Sequence, residues 1–289
     1  MKKESQVRRK ILHRFKILII ILLFIVGISG LLYPYISDAW NRYLNRGTIG
    51  NYDSIVEQTN EENRNAIWEA AQEYNRNHPI NTLYDAFSDA GKAEDSSEYD
   101  HVLNVNGEGM MGYLEIPGID MTLSIYHGIR SDVLRQYVGH LPGTSLPVGG
   151  KGTHAVLSAH RGLPSAKLFT DLDKLKKGDQ FYIYVLNHAL AYEVDQIKIV
   201  TPENVEDMAI DPEQDYVTLV TCTPYGVNTH RLLVRGHRID FPEEVKKADP
   251  LKVDGRRRND RLWIAAAAAG VILVVLFIVR RRRKKRGQT

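Results

Sequence analysis

The chain has 289 residues, with 38 lysines and arginines against 35 acids and a formal charge of +3. That near-balance hides a segregation. Residues 37–260 carry 23 basic and 34 acidic side chains, a net of −11, whereas both tails are basic, so the middle is acidic and nothing in it suggests nucleic-acid binding. A single cysteine, Cys222, excludes an intrachain disulfide and any zinc site built from several thiolates.

The first 16 residues form a basic tail, with Lys2, Lys3, Arg8, Arg9, Lys10, Arg14 and Lys16 against Glu4. Ile17 to Leu32 is uncharged and is followed by Tyr33, Pro34 and Tyr35. A helix needs about 17–25 apolar residues to cross the hydrocarbon core, so residues 17–35 are predicted to span a membrane. A cleaved signal peptide is the competing reading, but no small-x-small cleavage site follows the run. Residues 36–80 read as helical, because Ile55, Ala66, Ile67, Ala70, Ala71 and Tyr74 recur at helical spacing. His78-Pro79 ends that pattern, since the residue before a proline disfavours the helical region. Residues 81–108 read as an irregular acidic loop.

From residue 109 to about 242 the texture is that of short strands. Segments 112–119, 121–126, 154–158, 180–186, 190–200, 216–222 and 231–239 alternate or are rich in β-branched and aromatic residues. Short helices are expected at Asp132–Tyr137, Ala166–Leu175 and Pro202–Met208, the last with Thr201 as N-cap. Many short strands with few helices predict a mainly β fold, a closed or nearly closed barrel. A linker (243–261) then leads to a second uncharged run (262–279), which stops at seven consecutive basic residues, Arg280 to Arg286. Basic tails at both ends place both termini in the cytoplasm and the acidic middle outside. The smaller cluster of Arg256, Arg257, Arg258 and Arg261 opposes this assignment.

The chemistry centres on Cys222. A lone cysteine is either an inert buried hydrophobe or a reactive thiol. Cys222 closes the strand YVTLVTC and precedes Thr223-Pro224-Tyr225-Gly226, which puts it at a rim rather than in mid-core. A nucleophilic thiol needs a base or positive neighbours. Arg231 opens the next strand, and hairpin-like pairing would bring it to Cys222, where a guanidinium favours the thiolate and can bind an oxyanion. The plainer alternative is an arginine paired with a surface acid. Among ten histidines, His160 ends the strand HAVLS and precedes Gly162, so it can face a thiol at the same rim and protonate a leaving amine.

TLVTC (218–222), with an arginine nine residues on, resembles the sortase signature T-L-x-T-C, and LSAHRG (157–162) resembles the segment carrying the catalytic histidine of sortases, with Ala159 in place of glycine. The resemblance is close over Gly112 to Ile239. It implies an eight-stranded sortase barrel with short helices, flanked by two transmembrane helices. Cys222 would be the nucleophile on the Thr–Gly bond of an L-P-x-T-G-like signal, His160 the general acid and base, and Arg231 the group stabilising oxyanion or substrate. Asp85-Ala86-Phe87 resembles the D-P-aromatic lid of class C, pilus-building sortases. Asp85 would meet the arginine and Phe87 cover the cysteine, while alanine in place of proline would loosen the loop. The implied acceptor is a lysine amine of a pilin subunit. The implied partners are pilins and membrane lipid, the expected location is the outer face of a Gram-positive membrane, and no cofactor or metal is expected. The rivals are a housekeeping sortase acting on a cell-wall precursor and a non-enzymatic surface protein.

Overall fold

A computed structural model describes residues 2–78, 83–88 and 97–242. The expected linker, second span and C-terminal basic tail lie outside the described residues, as do 79–82 and 89–96 of the helix end and acidic loop. The chain divides into two units at 241/242, and the first of them contains every strand among the described residues.

Eight strands close a barrel: β1 (Met110–Ile116), β2 (Met121–His127), β3 (Val138–His140), β4 (Thr153–Ser158), β5 (Gln180–Val185), β6 (His188–Val200), β7 (Asp215–Thr223) and β8 (His230–Ile239). Their order around the barrel is β1-β2-β3-β4-β7-β8-β6-β5, with β5 returning to β1. Two neighbouring pairs, β2–β3 and β4–β7, are parallel and the others antiparallel. Apolar side chains such as Leu114, Ile125, Leu157, Ile183, Leu219 and Val234 are buried in the main core. Closure removes the exposed strand edges that an open sheet of this length would present.

Two helices brace the barrel. α1 (Lys2–Gln58) is continuous through Pro34, and α2 (Glu61–Asn77) starts at Asn60, whose side chain accepts from the Asn63 amide. Tyr52 of α1 is fully buried; its hydroxyl donates to Met111 O and accepts from Leu186 N, both at 2.9 Å. One stretch of α1, within Arg14–Gln58, is long and apolar enough to cross a membrane.

Four local features differ from expectation. β3 has only three residues and includes Gly139, where an added Cβ would lie 2.4 Å from Gly128 O. So short a strand has no alternation to read. α3 (Ser97–His101) is a single helical turn in the stretch expected to be irregular. The helix expected over Ala166–Leu175 is a kinked 3₁₀ segment, Leu168–Lys174, in which Leu168 takes a positive φ of 42°. The helix expected over Pro202–Met208 reduces to a 3₁₀ turn at Glu206–Met208, since so few residues do not offset the cost of helix nucleation. Near the expected site, α4 (Ser131–Leu134) forms one short turn of helix.

Candidate active site

Two strand pairings build the site. β7 and β8 are antiparallel, and Cys222 and Arg231 are direct cross-strand partners. β4 and β7 are parallel, so they leave the barrel at one rim. Their ladder runs to Ser158↔Val220 and is extended by Ala159 N donating to Val220 O at 3.3 Å and Thr221 Oγ1 donating to Ala159 O at 2.8 Å. That register brings His160 to the level of Cys222 from 62 residues away. The chain then loops back, with Phe169 N donating to His160 O at 3.1 Å.

Residues 83–88 cover this rim. Arg231 Nε donates to Asp85 Oδ1 at 2.6 Å and Nη2 to Asp85 Oδ2 at 2.7 Å. Arg231 Nη1 donates to Asn228 O and His230 O, each at 3.1 Å, so all three of its nitrogens are engaged. The Phe87 ring lies 5.5 Å from the His160 ring and 5.2 Å from the Arg231 guanidinium carbon. Ala86 is 1% exposed, in an apolar cluster with Ile129, Leu134, Leu141, Val156, Met208, Val220 and Leu233. Tyr84 adds a hydrogen bond to Pro142 O at 2.9 Å, and Ser88 N caps the turn on Asp85 O. Alanine in place of proline is thus compatible with a well-seated segment, whatever freedom it adds to the backbone.

Burial sets the charges. Cys222 is 8% exposed. Desolvation raises its thiol pKa, the Arg231 cation opposes that rise, and Asp85 adds to it. Burial lowers the His160 pKa, and the Arg135 cation lowers it further. Both shifts favour neutral groups, a thiol and an imidazole, while the segment is in place. The pair with Asp85 holds Arg231 still more firmly protonated.

A Sortase domain model matches residues 114–239. The solved sortase C-1 of Streptococcus pneumoniae is 46% identical, with a TM-score of 0.64, covering 68% of this chain and 100% of that one. The chain belongs to the sortase family. A pilus-related sortase C of Group B Streptococcus is 44% identical with a TM-score of 0.61, covering 66% of this chain and 96% of that one. Sortase A of Streptococcus agalactiae is 30% identical over 155 residues, 52% of this chain. The alignment spans 62% of that relative's length. Among these neighbours, this sortase falls with class C.

Several residues of this sortase's rim were not singled out from sequence. Arg161 bridges the two strand exits: Nη2 pairs with Asp173 Oδ2 at 2.5 Å and Nη1 donates to Thr223 Oγ1 at 3.3 Å. Its place directly after His160 was the available signal. Tyr225 packs on Gly162, whose φ is +79° and where an added Cβ would lie 2.9 Å from the ring. Of the other histidines, His154 lies at the far end of β4, hydrogen-bonded to Ala209 O and Thr218 Oγ1. His140 is fully buried between Tyr99 and Ser145 O. Neither joins Cys222.

Proposed function

We propose that this sortase assembles pili: it cleaves an LPXTG-like sorting signal between Thr and Gly and joins the acyl group to a lysine amine of another pilin subunit. The observation that carries this reading is the Asp85–Arg231 pair over a rim holding Cys222 and His160, in a chain whose solved neighbours include a pilus-related sortase C.

In this scheme substrate entry displaces residues 83–88 and frees the Arg231 guanidinium. Leaving the apolar surroundings of the segment lowers the thiol pKa, Cys222 passes its proton to His160, and Arg231 stabilises the thiolate. The Cys222 Sγ attacks the threonine carbonyl carbon, and Arg231 donates hydrogen bonds to the oxyanion or to the bound signal. His160 gives a proton to the glycine nitrogen as the C–N bond breaks, leaving a thioester and a free amine. The acceptor lysine amine then attacks the thioester carbonyl, losing a proton to His160. The C–S bond breaks, the isopeptide bond forms and the thiol is regenerated.

The same reading assigns the protein to the membrane of a Gram-positive bacterium, with both termini cytoplasmic and the barrel outside. Its support is the apolar stretch of α1 and the second span expected at 262–279. The same reading divides the chain into tail 1–16, span 17–35, helices 36–80, lid 81–108, barrel 109–242, linker 243–261, span 262–279 and tail 280–289. Full-length protein incubated with candidate pilins tests the activity. Covalent ladders should form with the native chain and vanish with Cys222→Ala. Ladders retained by Cys222→Ala would reject the mechanism. Transfer only to a cell-wall precursor amine would favour the housekeeping alternative.

A further inference from the structure

The membrane-proximal part of α1 is amphipathic in the inverted sense. Ile36, Ala39, Trp40, Tyr43, Leu44 and Gly47 share one face, at spacings of three and four, and all are exposed; Trp40 is 60% and Tyr43 69% exposed. The opposite face is polar and touches the barrel. Ser37 Oγ and Asn41 Nδ2 donate to Ser165 O at 2.8 and 2.5 Å, Asp38 Oδ1 accepts from Lys167 N at 3.0 Å, and Asn45 bonds Thr122 O, Ser124 N and Ser124 Oγ at 2.9–3.0 Å. A surface helix normally turns its apolar stripe to the core and its polar face to water. Past Gly50 the normal sense returns: Asn51, Ser54, Glu57 and Gln58 are exposed, while Tyr52 and Val56 are buried.

The reversal has a length that identifies the solvent. From Ile17 to Leu44 the apolar face of α1 carries no charge; the two charged residues of the interval, Asp38 and Arg42, pair with each other at 3.1 Å on the polar side. At 1.5 Å per residue those residues rise about 42 Å, against roughly 40–45 Å for a bilayer with its headgroup layers. Trp40 and Tyr43 fall in the upper part of that interval, where amphipathic rings settle at the headgroups. An apolar stripe continuous with a membrane span is covered by the same lipid.

We propose that the Ile36–Leu44 face of α1 lies in the outer headgroup layer and thereby holds the catalytic rim at the membrane surface. The second half rests on the hydrogen bonds: residues 37–41 grip the tip of the loop that leaves His160 and returns to it at Phe169. That loop therefore sits at the height of Trp40. This inference rests on the anchored reading of α1, and the two fail in different ways.

The test uses the full chain reconstituted in phosphatidylcholine vesicles, with Trp68→Phe and Trp263→Phe leaving Trp40 as the sole reporter. Trp40 emission should be quenched several-fold more by lipids brominated near the carboxyl end of the acyl chain than by lipids brominated near its methyl end. A fluorophore on Pro164→Cys, in a Cys222→Ala background with all tryptophans retained, should be quenched by a headgroup-linked quencher. Protein that resists alkaline extraction yet shows neither quenching overturns the proposal. So does a Tyr43→Cys variant, also lacking Cys222, that forms disulfide dimers while Trp40 stays unquenched, since a second copy would then cover the stripe. Protein that alkali extracts would reject the anchor itself.

Discussion

Arg231 donates two parallel hydrogen bonds to Asp85, a residue 146 positions earlier in the chain, and both side chains are almost fully enclosed. The contact uses the fork of the guanidinium that would otherwise face a substrate oxyanion beside Cys222. Under the proposed mechanism Asp85 competes with substrate for one cation, and that competition can be measured.

Asp85→Ala should speed alkylation of Cys222 by iodoacetamide by about tenfold or more. Hydrogen bonds to charged groups contribute about 1.5–3 kcal/mol each, and about 1.4 kcal/mol is a tenfold change in an equilibrium. Phe87→Ala should act in the same direction by removing the ring between His160 and Arg231. Labelling at the native rate in both variants would show that residues 83–88 do not control access to the thiol.

The pH dependence has a defined sign. Burial and Asp85 raise the Cys222 pKa, so the native thiol should be alkylated mainly at alkaline pH. Releasing the segment re-solvates the thiolate and leaves Arg231 beside it, so the labelling midpoint should fall in Asp85→Ala. Arg231→Gln removes the cation and should move the midpoint up. The opposite order in a pH series would contradict this electrostatic account.

Arg231→Lys keeps the charge but loses the planar fork. Peptide transfer should drop by about 100-fold to 1,000-fold, the range seen when one oxyanion donor is lost, while the far-ultraviolet circular dichroism stays native. A loss below about fivefold would mean that charge alone suffices.

Acid should weaken the fold through histidines away from Cys222. Burial lowers both His140 and His154 to about 4. Their folded pKa values lie below the unfolded value of about 6.5, so the unfolded chain binds protons first. Their stabilising effect is complete above about pH 6.5 and is lost as pH falls from there towards 4. Urea midpoints should decline over that window, and less so in His154→Gln, whose amide keeps a donor and an acceptor. A flat profile would rule out the buried neutral imidazoles.

Tyr99→Phe tests the same region without changing charge. The Tyr99 hydroxyl contacts His140 Nδ1 at 2.9 Å and accepts from Gly128 N at 3.0 Å. Removing it leaves buried groups unpaired, at about 1–3 kcal/mol. Urea denaturation should register that loss, whereas alkylation of Cys222 should not change.

Much of this was legible in the sequence because it is local. Alternation located seven of the eight strands, and Cys222 and Arg231 belong to adjacent strands joined by a short loop, so a hairpin had to bring them close. The uncharged run of α1 needs only counting. β3 escaped because Gly139 serves a close backbone approach and three residues carry no period. The helices expected over Ala166–Leu175 and Pro202–Met208 shorten to 3₁₀ segments because their conformations depend on what surrounds them.

The rest depended on tertiary structure. Only the parallel pairing of β4 with β7 sets His160 at the height of Cys222, since nothing local selects a partner 62 residues away. Only the seating of Ala86 in an apolar cluster turns an acidic loop into a cover, with Asp85 on Arg231. The inverted face of α1 is visible as a pattern in residues 36–47, but the sense of that pattern depends on which side the barrel takes. Periodicity says that a helix has two faces; contacts between distant segments decide which one meets protein and which meets solvent or lipid.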